Sequence, residues 1–172
     1  MLTISSPDRK SKLKVPVAKA PPVGIAFLVS QVGAHAANGF AERLSVMDLK
    51  AYDAGILRLL GSNPGLTQQA LSDLLGIFPS QLVALLDRLE KRKLVDRRNN
   101  PADRRSYLLY LSKQGRKALE DIGRLTVELE TDFFSALSDG EKALLHQLMM
   151  RIVSQQKITP GVHPAYRQMA RQ

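Results

Sequence analysis

Residues 67–92 read TQQALSDLLGIFPSQLVALLDRLEKR, and this stretch decides the fold. Thr67 is a helix N-cap by type, and Ala70, Leu71, Leu74 and Leu75 follow at the spacing of one helical face. Gly76 is placed to end that short helix in the left-handed conformation. Three residues later Pro79 suits the first turn of a second helix. That helix runs to about Arg92 and buries Leu82, Leu85, Leu86 and Leu89, while Ser80, Gln81, Ala84, Arg88 and Lys91 lie on its other face. Two short helices joined by a tight glycine turn are a helix-turn-helix.

Working outward, Leu94 to Arg98 reads as a short strand, Asn99 to Asp103 as a turn, and Ser106 to Leu111 as a second strand. A basic hairpin directly behind a helix-turn-helix is a wing. Upstream, Ile25, Leu28, Val29, Val32, Ala36, Phe40, Leu44 and Met47 recur three or four apart. After a break, where Ser45 and Asp48 suggest a helix start, Leu49, Tyr52, Ile56, Leu59 and Leu60 form a second helix that stops at Gly61-Ser62-Asn63-Pro64-Gly65. Downstream, Ser112 caps a long helix with Ala118, Ile122, Leu125, Leu129, Phe133 and Ala136 as its seam. Ser138 and Glu141 make a capping box for a last helix carrying Leu144, Leu145, Leu148, Met149 and Ile152.

The expected fold is therefore mainly α: a winged helix-turn-helix with a small β-hairpin wing, plus N- and C-terminal helices forming a helical dimerisation domain. The expected divisions are a flexible basic arm (1–22), supporting helices (23–60), the winged module (61–112), C-terminal dimerisation helices (113–157) and a tail (158–172). For the arm, an inert tail and a segment that touches DNA both stay open.

The charge is uneven. The chain of 172 residues carries 25 Lys and Arg against 16 Asp and Glu, a net +9. Arg88 to Arg105 alone holds Arg88, Lys91, Arg92, Lys93, Arg97, Arg98, Arg104 and Arg105 against Glu90, Asp96 and Asp103. A field of this sign draws polyanions, and on a recognition helix and its wing the fitting one is double-stranded DNA. Gln81 is suited to adenine in the major groove, Ser80 to a phosphate or a base, and Ala84 lies on the same stripe. Arg88, two turns in, is placed for phosphate. Thr67 and Gln68 begin the preceding helix, whose free amides suit a phosphate; for Thr67 a plain cap is the equal alternative. At the wing tip Asp103 is two residues from Arg105. An acid there can brace an arginine and leave a guanidinium for the minor groove, with Arg97, Arg98 and Arg104 along the same hairpin. A surface ion pair of little energetic weight is the plainer reading.

Other chemistries find less in the chain. There is no cysteine, which excludes disulfides, thiolate metal sites and thiol redox sensing. His35, His146 and His163 are scattered, with no metal-ligand partner at helical spacing, and no phosphate-cradling glycine loop appears. No enzyme activity, metal site or cofactor is expected. No apolar run approaches a membrane span, and the N-terminus lacks a secretory signal's apolar stretch, so a cytoplasmic, nucleoid-associated protein is expected. A membrane-surface module would place its basic residues on one amphipathic helix face and needs more aromatic residues than 5%.

Three stretches resemble the MarR family of bacterial regulators: Leu89-Glu90-Lys91-Arg92-Lys93-Leu94-Val95, Pro101-Ala102-Asp103-Arg104-Arg105-Ser106, and Leu111-Ser112-Lys113-Gln114-Gly115. They are similar to the family's Leu-Glu-x-x-Gly-Leu-Val helix end, Asp-x-Arg wing tip and Leu-Thr-x-x-Gly junction. The helix order matches over about residues 25–156. The resemblance implies a triangular homodimer, built on the first and last two helices, that binds a pseudopalindrome and usually represses. It also implies release by a small aromatic or phenolic anion, for which His35 and Asn38 are candidate pocket residues. An activator or architectural protein without a ligand is the alternative. Lys93 stands where the family has glycine, and Val83 and Ala84 where it often has a small polar residue and an arginine.

Overall fold

The structure, a computed structural model, describes residues 23–163 and Tyr166. Among these residues six helices and three strands follow in the order α1 (Ile25–Ser45), α2 (Ala51–Ser62), β1 (Leu66–Thr67), α3 (Gln68–Leu75), α4 (Pro79–Lys91), β2 (Val95–Asn100), β3 (Asp103–Leu111), α5 (Lys113–Phe133) and α6 (Asp139–Gln155). The architecture is the expected one, mainly helical with a small antiparallel sheet. The basic arm at 1–22 lies outside the described residues. The chain divides into two compact units, residues 1–34 and 35–172. In the first, the described residues are helical from Ile25 and expose Ile25, Phe27, Leu28, Val29 and Val32.

The second unit is organised around leucines. Ile56, Leu57 and Leu60 of α2, Leu71 and Leu75 of α3, Leu82, Leu86 and Leu89 of α4, and Val95 and Leu109 of the sheet are all buried in one cluster. The four leucines expected on the inner face of α4 are all there. Leu74 of α3 is a correction: it is 44% exposed, so the apolar stripe of α3 is narrower than its sequence suggests.

The helix ends have local causes. Thr67 Oγ1 accepts from Ala70 N at 3.1 Å and starts α3. Gly76 ends it at φ +64°, where a side chain would be strained. Ser112 Oγ accepts from Gly115 N at 2.9 Å and starts α5. Ser138 and Glu141 close the expected box on α6, with Ser138 N donating to Glu141 Oε2 at 2.8 Å. Those hydrogen bonds from the Ser138 hydroxyl and amide hold the Glu141 carboxyl below its ordinary pKa. The start of α2 differs from expectation. Neither Ser45 nor Asp48 caps it; Lys50 is the N-cap, and the Asp53 carboxylate reaches back to Lys50 N at 2.9 Å. Ser45 Oγ instead donates to Glu42 O within α1 at 2.6 Å.

The hairpin is longer than expected. β2 reaches Asn100 and β3 begins at Asp103, so the turn is only Pro101-Ala102. Asn100 makes this possible. Its Oδ1 accepts from Ala102 N at 3.0 Å and its Nδ2 donates to Ser106 Oγ at 2.9 Å, replacing backbone partners that the turn removes. A third strand was not expected. Leu66 and Thr67 pair with Leu109 and Leu108, which ties the start of α3 to the wing. At the far end, α5 stops at Phe133, so Ala136 lies beyond the seam and is exposed.

The segment after α6, expected only as a tail, turns back onto the unit's core. Gly161 O accepts from the Arg58 guanidinium, Val162 packs against the core cluster, and Tyr166 is fully buried. The Tyr166 ring fills a slot over Gly55, where an added Cβ would come within 2.5 Å of its hydroxyl, and that hydroxyl donates to Tyr52 O.

Candidate nucleic-acid interface

Capping and packing fix the two helices of the motif at a steep angle: α3 and α4 turn through 112°. Pro79 opens α4, and Gln81 Oε1 accepts from Phe78 N at 3.2 Å, so Gln81 closes the N-terminus of α4. Ser80, Val83, Ala84, Asp87 and Lys91 are exposed at three- and four-residue spacing, which makes them one outward stripe. Thr67 is a cap in fact, and Gln68, half-buried, follows it in the first turn of α3.

Arg88 is on the same helix but turns inward. Its guanidinium pairs with the Asp53 carboxylate, which is buried, donates to Tyr52 Oη at 3.3 Å, and lies 5.0 Å from the centre of the Tyr52 ring. Burial works against its charge, but the Tyr52 hydrogen bond and the Asp53 carboxylate outweigh that and raise its pKa. A phosphate contact from Arg88 would have to break this cluster. Two further cations are occupied the same way. Arg92 donates to Met47 O at 2.8 Å and to Asp48 O, which holds the α1–α2 connection. Arg97, with its side chain only 16% exposed, bridges Asp87 at 2.7 Å and Glu90, fastening β2 to α4.

The wing carries the outward charge. Arg98 lies over the Tyr110 ring at 4.4 Å and remains 61% exposed. Asp103 Oδ1 accepts from Arg105 N at 3.0 Å, so the acid braces the backbone of the tip and not the guanidinium. Arg104 and Arg105 are exposed, and among the described residues no ion pair engages either side chain. Lys93 joins α4 to β2 at φ +57°, the conformation that suits glycine. Opposite it, Gly115 is required: a Cβ there would lie 1.9 Å from Leu94 O.

The two candidate ligand residues stand apart from this face. His35 and Asn38 are exposed on α1, and the His35 ring lies 5.7 Å from that of Phe133. Among the described residues no cluster of three His, Cys, Asp or Glu could hold a metal ion, and no single helix is long and apolar enough to cross a membrane. Sequence reasoning missed Asp53 as the buried partner of Arg88. The available signal was an acid at the third position of a helix that has no Ser, Thr, Asp or Asn cap.

Residues 47–106 match the MarR family. Over 107 residues the chain is 35% identical to a Thauera aromatica protein named as a transcriptional regulatory protein for the hcr operon. That match covers 62% of this chain but only 64% of the relative's length. Among solved structures, the transcriptional repressor CouR bound to a 23-mer DNA duplex is similar at a TM-score of 0.68 and 27% identity, over 76% of this chain and 92% of that one. A mutant MarR from E. coli complexed with operator DNA is similar at 0.65 and 26%, over 74% and 92%. Helix pair, hairpin and likenesses agree: residues 47–106 match the MarR family, and the chain is similar to its winged-helix transcriptional regulators.

Proposed function

We propose that the chain binds double-stranded DNA sequence-specifically as a homodimer, and represses transcription by occupying a pseudopalindromic operator. The observation that carries the DNA reading is the pairing of an exposed α4 stripe with a wing whose tip presents Arg104 and Arg105, side chains that no ion pair among the described residues engages. On this reading α4 enters the major groove. Arg105 enters the minor groove beside it, with Arg98 and Arg104 against phosphate. The first-turn amides of α3, at Gln68 behind the Thr67 cap, face a phosphate. CouR and MarR each hold a duplex in their solved complexes, which supports the same use of this fold here.

The homodimer is supported by α6. It carries Leu144, Leu148, Met149 and Ile152, all exposed, and buries no residue of its own. An amphipathic helix whose apolar side chains stay this exposed among the described residues needs a partner, and a second copy supplies the two-fold symmetry that a pseudopalindrome requires. A small aromatic or phenolic anion is the effector class we assign, with His35 and Asn38 as its α1 contacts.

Selection of bound duplexes from a random library tests the reading. Enrichment of a two-fold symmetric sequence is expected, with affinity falling steeply with salt and Arg105→Ala binding much more weakly at unchanged stability. No enriched sequence would overturn specific regulation. Leu148→Glu should dissociate the dimer in light scattering; an intact dimer would remove α6 from the interface. A hydroxybenzoate that leaves operator affinity unchanged would count against the effector.

A further inference from the structure

The outward face of α4 offers a base edge little polar chemistry. Gln81 has its side-chain carbonyl on Phe78 N at 3.2 Å, Asp87 is paired with Arg97 at 2.7 Å, and Arg88 is turned onto Asp53. Beside Ser80 and Lys91, what faces outward is apolar. Phe78 at the helix start is 61% exposed, Val83 is 37% exposed, and Ala84 is exposed one residue on. Val83 and Ala84 share their stripe with Ser80 and Lys91, and the wing adds the exposed cations of Arg104 and Arg105. A complementary occupant is therefore anionic at its edges and apolar within. The major groove of a duplex meets both conditions where thymines line its floor, because the thymine C5-methyl is the one apolar group a base pair presents there.

We infer that α4 reads thymine methyl groups: Val83 and Ala84, together with Phe78, make the sequence-selective contacts, and the operator carries thymine beneath them. This rests on the DNA-binding reading above and adds to it a preferred base and the residues that select it. An acidic protein partner with an apolar patch is the competing occupant, and the test separates the two.

The full-length protein is used to select duplexes. The selected duplex is then resynthesised with each thymine in turn replaced by deoxyuridine, which pairs identically and lacks only the methyl. The expected result is a loss of about fourfold in affinity at the thymines facing α4, the effect of one methylene-sized burial, and none elsewhere. Val83→Ser and Phe78→Ser should bind thymine and deoxyuridine duplexes alike. Phe78→Ser places a favoured capping residue at the start of α4, so its fold is not at risk. Arg105→Ala should bind more weakly throughout yet keep the methyl preference. A wild type that binds every deoxyuridine duplex equally well would overturn the inference while leaving sequence-specific binding intact. Failure to enrich any duplex would overturn both. Unchanged affinity and methyl preference in Val83→Ser and Phe78→Ser would give the apolar patch to a protein partner.

Discussion

Tyr166 lies outside the helix-turn-helix and the wing, yet its removal should be felt strongly in stability. It has no exposed surface, its ring lies on Gly55, and its hydroxyl donates to Tyr52 O. Tyr166→Ala deletes a fully buried aromatic ring, which costs roughly 3–5 kcal/mol. Tyr166→Phe removes only the hydrogen bond, about 1 kcal/mol. For a chain of this length each kcal/mol lowers Tm by about 2–4 °C, so the two variants should melt about 6–20 °C and about 2–4 °C lower. Burial, reinforced by the charge of Asp53, raises the Tyr166 pKa above its ordinary value of 10.0. The folded state thus favours the neutral phenol. Its contribution is complete below pH 10 and is lost above it, as the unfolded chain ionises first, at up to about 1.4 kcal/mol per pH unit. Tyr166→Phe lacks this loss, so the wild-type advantage should vanish near about pH 11. Urea unfolding followed by circular dichroism, at one protein concentration and from pH 7 to 11.5, measures both effects. The docked-segment argument fails if Tyr166→Ala leaves the midpoint unchanged, or if wild type and Tyr166→Phe lose stability in parallel above pH 10.

Arg88→Ala should destabilise the fold by about 1–3 kcal/mol, because it strands the buried Asp53 carboxylate; the 37% exposure of Arg88 keeps the loss below that of a fully buried pair. Unchanged urea unfolding with impaired DNA binding would move Arg88 to the interface. In salt titrations of operator binding, Lys91→Ala should lower the slope of log affinity against log salt by about 1, whereas Arg97→Ala should leave the slope alone and lower stability; the reverse assignment would mean that Arg97 leaves its acids for phosphate. Gly115→Ala should cost about 3 kcal/mol, since the clash is with the backbone oxygen of Leu94 and no side chain can yield; a calorimetric Tm close to wild type would contradict it. Lys93→Gly should stabilise by about 0.5–1 kcal/mol, relieving a left-handed residue at φ +57° at the entropic cost of one glycine; a lower Tm would show that Lys93 is not strained there.

Elements marked by local chemistry were legible in the sequence. Thr67, Gly76, Pro79, Ser112 and Ser138 each act on the backbone within a turn of themselves, so their residue types suffice to place the ends of α3 to α6. Elements marked by partners elsewhere were not. β1 is two residues long, too short to show any alternation, and exists because Leu66 and Thr67 find Leu109 and Leu108. The hairpin extends past Asn99 because the Asn100 side chain replaces missing backbone bonds, whereas asparagine and proline by type suggested a longer turn. Docking of Tyr166 depends on a slot over Gly55, 111 residues away in the chain; a lone tyrosine beyond a proline carries no such signal.

The same distinction explains why counting charges overstates the DNA contact. Residues 88–105 hold eight cations, and by number alone each could meet a phosphate. Three of them, Arg88, Arg92 and Arg97, are instead bound to Asp53 and Tyr52, to Met47 and Asp48, and to Asp87 and Glu90. All three are arginines, and each uses the planar guanidinium to hold two acceptors at once in a fixed fork geometry that the point charge of a lysine lacks. These three join α4 to α2, to the α1–α2 connection and to β2. The cations left outward are Lys91 at the end of α4, Lys93 just behind it, and Arg98, Arg104 and Arg105 on the wing, and they flank a helix that the inward arginines hold in place. A recognition helix that reads methyl groups needs such support. An apolar contact falls off within a fraction of an ångström of its optimum, whereas a long-range charge tolerates displacement. On the proposed reading, the inward arginines serve selectivity by keeping Val83 and Ala84 at a fixed depth, and the outward cations serve affinity by holding the duplex against them.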